Sequence, residues 1–257
     1  MEVIDEKGRL FGVVNVVDAL VVLVVLAMVI AGTALVMGGE ENDTSGEPTE
    51  PAPQRYATIA YDVPVGSDGA ALSTGETVNV TNGGESYTVA DVYRSFTPNG
   101  TAYVVAIVEY RGTLTAGGST VYGGENLALS TDAYRLRAEV LSVGDDEGTI
   151  PTTTRRVVLE ANVSSAVADA IEAGDTADVG NTQVATVTAV DRQDGEGNRV
   201  HVRVGVELTA WDREPVPAFD GSALRVGNRV TILTDTVTIP GTVAAVGTDD
   251  PSAVASG

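Results

Sequence analysis

The sequence contains no cysteine. That excludes disulfides, thiolate metal sites, cysteine nucleophiles and lipid attachment through an N-terminal Cys, and by itself says nothing of redox compartment. Histidine and lysine occur once each, as His201 and Lys7. A His-based triad or zinc site would therefore lack its partners. Aromatic residues make up 5% of the chain, so its cores must rest on Val, Ala, Leu and Ile. Cationic charge is scarce too: 15 Lys and Arg face 36 Asp and Glu, a formal net charge of -21. Phosphate recognition needs clustered cations. The nearest clusters, Arg155-Arg156 and Arg135/Arg137, lie among acids, and nucleic acid is not an expected partner. No glycine-rich nucleotide fingerprint precedes a helix and no P-loop pattern occurs. The sequence thus implies no cofactor, metal or small-molecule substrate.

What is present is an acidic chain of 257 residues that is still 43% apolar. Acids spread through such a composition describe a folded body with an anionic surface rather than a disordered tail. That surface repels itself in dilute buffer, whereas at about 1 M salt the Debye length falls to about 3 Å. The pattern resembles proteins of halophilic archaea. An ordinary acidic envelope protein is the alternative.

Residues Ala19–Met37 carry no charge and are dominated by Val, Leu and Ile. Nineteen helical residues at about 1.5 Å rise approach the hydrocarbon thickness of about 30 Å, and their apolar side chains favour insertion. A transmembrane helix is expected over 13–37, with Asn15 and Asp18 at its cytoplasmic end. Lys7 and Arg9 precede it, while Gly38-Gly39-Glu40-Glu41-Asn42-Asp43 follow, with no cation before Arg55. The positive-inside rule places residues 1–12 in the cytoplasm and the rest outside. Two other readings compete: a cleaved secretory signal with Gly32-Thr33-Ala34 as its site, and a pilin-like precursor with Lys7-Gly8 ahead of the apolar stretch. Residues 38–55 read as an extended acidic, Pro-rich linker.

The remainder is duplicated. ALSTGETVNV (Ala71–Val80) matches AIEAGDTADV (Ala170–Val179); Tyr87–Ser95 matches Gln183–Gln193; Ala102–Leu114 matches Arg199–Ala210; Tyr122–Gly144 matches Arg225–Gly247. In the last block Gly124, Asp132 and Gly144 fall on Gly227, Asp235 and Gly247. Four blocks in one order, about a hundred residues apart, indicate two domains, 56–150 and 151–248, rather than a solenoid. Val200–Leu208 alternates and predicts a strand with one buried face, whereas the apolar Tyr103–Val108 predicts burial on both faces. Turn signals separate the strands at Thr97–Gly100, Asp194–Asn198 and Asn82–Gly84. A short helix is expected at Ser165–Ala173, stopped by Gly174, and a weaker one at Ser67–Thr74. The fold class is mainly β: an N-terminal transmembrane helix and two small antiparallel barrel or sandwich domains, each with at most one short helix. Residues 249–257 are expected as a disordered tail.

The opening IDEKGRLFGVVNVVDALVVLVVL, followed by SSAVADAIEAGDTADVGNTQVATVTAV and LRVGNRVTILTDTVTIPGTVAAVG, resembles the family known as domain of unknown function 4330. The resemblance covers the anchor and both repeats, most clearly the second. It implies a single-span membrane protein with an outside β domain, and no reaction or catalytic residue.

Other features are weaker. His201 sits on the non-valine face of its strand, where Tyr103 stands in the other copy. The acids Asp145-Asp146-Glu147 and Asp249-Asp250 follow the two repeats at the same place and read as solvated turns without calcium-loop spacing. Asn42, Asn79, Asn99 and Asn162 each open an Asn-x-Ser/Thr sequon and are glycosylation candidates if the domains lie outside. Trp211 opens an insertion running to Phe219, a candidate partner loop, although a Trp and a Phe in such a loop more often cap a core. The expected role is that of a cell-membrane, single-pass, extracytoplasmic β-domain protein and not an enzyme. It would act as a structural or interaction module of the envelope, with the lipid bilayer and an envelope protein or another copy as partners. An adaptor-like component of transport or secretion, or a pilin-like or secreted surface subunit, is the alternative.

Overall fold

The computed structural model describes residues 9–10, 14–15, 52–81, 83–145, 148–195 and 197–254. The chain divides into two units, Met1–Pro51 and Ala52–Gly257. In the first unit, β1 (Arg9–Leu10) pairs antiparallel with β2 (Val14–Asn15). Val14 and Asn15 are therefore strand where the helix was expected to begin. The expected span Ala19–Met37, Asp18 and the linker as far as residue 51 lie outside the described residues. Among the described residues no helix is long and apolar enough to cross a membrane.

In the second unit, alternation builds the strands. The first repeat holds β3 (Gln54–Val63), β4 (Thr77–Val80), β5 (Ser86–Phe96), β6 (Ala102–Arg111), the small hairpin β7 (Thr115–Ala116) and β8 (Ser119–Thr120), β9 (Asn126–Ser130) and β10 (Arg135–Asp145). Six of these strands close an antiparallel barrel in the order β10-β3-β6-β5-β4-β9. Closure rests on Asn79↔Ser130 and Val80↔Leu129, between β4 and β9. The β6 strand is buried on both faces, as expected. Val104, Ala106 and Val108 point into the barrel, while Val105 and Ile107 join Ala60, Tyr93 and Ile150 in a second apolar cluster outside it.

The second repeat holds β11 (Thr152–Ser164), α1 (Ser165–Ala170), β12 (Thr176–Val179), β13 (Thr182–Asp194), β14 (Arg199–Trp211), the hairpin β15 (Ala218–Phe219) and β16 (Ser222–Ala223), β17 (Arg229–Leu233) and β18 (Thr238–Val246). The order β12-β13-β14-β11-β18-β17 repeats the barrel path, but no ladder joins β12 to β17. The far end of β5 lies against β12, β13, β14 and β17 instead. Thr231 Oγ1 donates to the Pro98 carbonyl at 2.9 Å and Arg94 donates to Thr182 Oγ1 at 3.1 Å. Tyr93–Thr97 are buried without interruption as a result. The two repeats are thus packed within one unit.

One motif is used four times. Gly75, Gly124, Gly174 and Gly227 all adopt positive φ, between 85° and 100°, a region open to glycine at little cost. Each opens a turn, and the apolar residues three and five positions later are buried: Val78 and Val80, Leu127 and Leu129, Ala177 and Val179, Val230 and Ile232. The partner strand returns a Val (89, 140, 187, 243) that exchanges backbone hydrogen bonds with the turn, and the register shifts just after or beside it. Such bulges bend strands strongly enough to round a small barrel.

The helix ends earlier than expected, at Ala170. Ser164 caps it by accepting from the Val167 N–H at 3.3 Å. Arg192 takes the exposed carbonyls of Ala168 (2.9 Å) and Ile171, and Gly174 serves the turn into β12. In the first repeat a 3-10 turn, Asp68–Ala71, stands in its place, and Arg94 holds Ala70 (2.9 Å) and Leu72 in the same way. The tail expected from Asp249 onward is instead ordered as far as Val254. Pro251–Ala253 form a 3-10 turn capped by Asp250, and Pro251 is buried against β13 and β14.

Candidate functional site

The two repeats offer the same outer face, formed by the strands beginning each repeat and their central partners. Pairing places Asp62 opposite Tyr103 and Asn162 opposite His201. Hence Ala60, Val105 and Ile107 correspond to Glu160, Arg203 and Gly205. In the first repeat this face is apolar and covered. Ile150, from the connection between repeats, and Trp211 pack on it. Trp211 meets Tyr93 with ring centroids 6.4 Å apart, and the Tyr93 hydroxyl donates toward the carbonyls of Thr209 and Ala218, both at 3.3 Å. Burial raises the Tyr93 phenol well above its ordinary range.

In the second repeat the corresponding face is polar. Arg203 Nε donates to Glu160 Oε1 at 2.8 Å, and His201 Nε2 lies 3.8 Å from the same oxygen. His201 Nδ1 is 3.2 Å from Asn162 Oδ1. Arg203 is 6% exposed, so its charge is held out of water by its partners rather than solvated. Beyond Glu160, β18 no longer pairs with β11. The divergence leaves a groove of about 460 Å³, lined by Glu160, Asn162, His201, Arg229, Thr242 and, from the first repeat, Pro98. The volume falls in the range of ligand clefts, and its lining mixes both charges with amide and hydroxyl groups beside the apolar Ala161, Val230 and Pro240. Among the described residues no three His, Asp or Glu side chains are grouped to hold a metal ion.

The candidate partner loop is divided by the fold. Phe219 is 1% exposed and belongs to the core. Trp211 is half-buried on the repeat contact, and the Arg213 guanidinium lies 4.8 Å over its ring. Among the glycosylation candidates, Asn42 lies outside the described residues. Asn79, Asn99 and Asn162 are all exposed. The Asn79 amide accepts from Ser86 Oγ at 2.7 Å, Asn99 stands in the β5–β6 turn, and Asn162 is tied to His201. These residues do not converge on one site.

Sequence reading alone does not single out Arg94 and Arg192, although they align within the matched blocks Tyr87–Ser95 and Gln183–Gln193. Conserving a cation while its neighbours change is the signal that would have found them. It also does not single out Asp62 and Asp220, which the fold brings near each other. Burial raises both carboxyls, Asp220 to about 6.

Residues 1–106 match the family model described as Domain of unknown function (DUF4330). The match spans the N-terminal unit and the first repeat into β6, so the resemblance drawn from the sequence holds over that stretch. No curated protein and no solved structure matches the chain.

Proposed function

We propose that this chain is a membrane-anchored, extracytoplasmic β-domain protein that serves the cell envelope as a structural or protein-interaction module without catalysis. The observation that carries the reading is the order of segments in the sequence. Lys7 and Arg9 come first, then the uncharged Ala19–Met37, then an acidic Pro-rich stretch, and then the single compact unit from Ala52. An apolar run of that length inserts favourably, and the cations before it orient it. The packed repeats suit a rigid module held off a bilayer by a short linker. The polar groove beside Glu160, Asn162 and His201 is the surface this reading assigns to a partner, in place of the Trp211–Phe219 loop, whose apolar side chains are engaged within the chain. The acidic surface fits work in concentrated salt.

The test is membrane fractionation of the tagged chain, followed by protease treatment of intact cells and by crosslinking. The reading expects the chain in the membrane fraction, its C-terminal unit cut from outside, and crosslinks to an envelope protein or a second copy that Asn162→Arg at the groove reduces. Recovery in the cytosol, or protection in intact cells, overturns it.

A further inference from the structure

The hairpin of β15 and β16 turns through Asp220 and Gly221, with φ of 56° and 80°, the geometry a two-residue Asp-Gly turn favours. Its tip is seated on the first repeat. A Cβ on Gly221 would stand 3.0 Å from the Tyr103 ring, and the Asp220 N–H donates to Ser95 Oγ at 3.0 Å. The Asp220 carboxylate is folded into that joint. Oδ1 accepts from the Ser222 N–H at 3.0 Å. Oδ2 is buried with no hydrogen-bond partner among the described residues.

The groups around it come from both repeats. Asp62 on β3 is the facing acid, and Tyr93 and Ser95 on β5 and Tyr103 on β6 complete the first-repeat side. Arg213, in the connection from β14 to β15, and Glu139 on β10 act on Tyr103, while Ser222 lies on the hairpin itself. An ionised carboxylate with one oxygen dry and another acid facing it is costly, and a proton removes that cost.

We propose that Asp220 is a proton-operated latch between the two repeats: uptake of one solvent proton by its carboxylate turns a buried anion into a neutral carboxyl and tightens the hairpin on the first repeat. The interface is then stronger in mildly acidic medium than at neutral pH, opposite to the usual behaviour of paired carboxylates. The sign follows from linkage. A folded-state value near 6, above the ordinary 3.8, means the native state binds the proton first, so stability appears as pH falls through 6 and levels off near 4. Between pH 8 and pH 5 that single group changes the folding equilibrium about ten-fold.

The full chain can be followed by the fluorescence of Trp211, its one tryptophan, which sits at this joint. Denaturation midpoints would be measured from pH 8 to pH 5 at constant high salt for the wild type, Asp220→Asn and Asp62→Asn. Asn keeps the shape, accepts the same positive φ and carries no charge. Asp220→Asn should exceed the wild type by about 150-fold in folding equilibrium at pH 8 and by about 15-fold at pH 5, so that the gap narrows about ten-fold over this range. Asp62→Asn should shrink the wild-type increment by lowering the pH at which Asp220 protonates. Carboxyl 13C titration should give Asp220 a midpoint above 5. Parallel pH curves for wild type and Asp220→Asn, or an Asp220 midpoint below 4.5, overturn the proposal. Should Asp220→Asn fail to fold, the titration and an unchanged pH increment in Asp62→Asn serve the same purpose.

Discussion

The first repeat closes its barrel with its own backbone, and the second does not. In the first, β4 and β9 meet at Asn79↔Ser130 and Val80↔Leu129. In the second, β12 and β17 form no ladder, and the end of β5 together with the Thr97–Gly100 turn lies against both. The outer faces differ in the opposite sense. The self-sufficient barrel carries the apolar face that needs cover, with Ala60, Val105 and Ile107, and the incomplete one carries Glu160, Arg203 and Gly205. A duplicated domain can thus divide its obligations, one copy supplying closed backbone and the other the cover for its exposed apolar side. An unpaired edge invites association, and here the first repeat takes that place.

Separating the copies tests this most severely. Expressed alone in high salt, residues 52–150 are expected to keep slow amide exchange in β4 and β9. Residues 151–257 alone are expected to lose cooperative unfolding altogether, because their open seam would be exposed. Mixing the two pieces should restore protection in β12 and β17. An isolated second half that unfolds cooperatively at the midpoint of the whole chain would break the comparison.

The next effect concerns one position in two settings. Ile107 and Gly205 are equivalent, yet Ile150 packs near the first and the backbone of Asp249 crosses the second. A Cβ at Gly205 would lie 1.9 Å from the Asp249 carbonyl oxygen, and backbone yields less readily than a side chain. Gly205→Val is expected to cost about 3 kcal/mol, the upper range for overpacking, whereas Ile107→Val should cost about 1 kcal/mol. Denaturant titrations read by Trp211 fluorescence measure both. Equal losses would mean that the segment after β18 moves aside freely.

The paired arginines sharpen the contrast further. Arg94 and Arg192 each take two carbonyls at a helical turn, but only Arg94 also reaches the other repeat, at Thr182, and it is the more buried. Removing a donor leaves buried carbonyls unsatisfied, at roughly 1–3 kcal/mol. Arg94→Ala should fall near the top of that range and Arg192→Ala near the bottom. Amide exchange should report Arg94→Ala in both repeats and Arg192→Ala in the second alone.

Much of this was legible in the sequence. The duplication follows from the four matched blocks, and the mainly β class and the two-faced burial of β6 follow from periodicity, because the pattern of apolar residues along a strand records which sides meet a core. The fourfold turn motif is present in the letters too, but comparing the repeats pairs Gly75 with Gly174 and Gly124 with Gly227 and stops there. Four-residue strands carry too few apolar positions to show that all four are one pattern, and the acid after the glycine drifts from Glu to Asp to Asn. The helix boundary was misplaced because Gly174 looks like a stop, whereas the carbonyls are taken by Arg192 from a distant strand. Phe219 and Asp220 stand in two-residue strands and a tight turn, where no periodicity exists. The first repeat buries Asp220, which no local pattern encodes. The same holds for the ordered segment after Val246, whose place depends on the absence of a side chain at Gly205.

The smallest expected effect lies on the polar face. Glu160 accepts from Arg203 at 2.8 Å with side chains 31% and 7% exposed. Replacing Glu160 by Gln keeps an acceptor oxygen but removes the compensating charge beside a mostly buried guanidinium. A surface pair would be worth about 0–1 kcal/mol, and loss of one partner of a fully buried pair several times more. A partner open to water on one side places Glu160→Gln near 1 kcal/mol. Glu160→Leu with Arg203→Leu should recover that loss or exceed it, since the equivalent residues of the first repeat, Ala60 and Val105, are apolar. That double variant would also give the second repeat a sticky face, so sedimentation should show more self-association than the wild type does. If the double variant stays as soluble as the wild type, polarity on this face does not serve to leave the second repeat uncovered, and the division of labour between the copies rests on the seam alone.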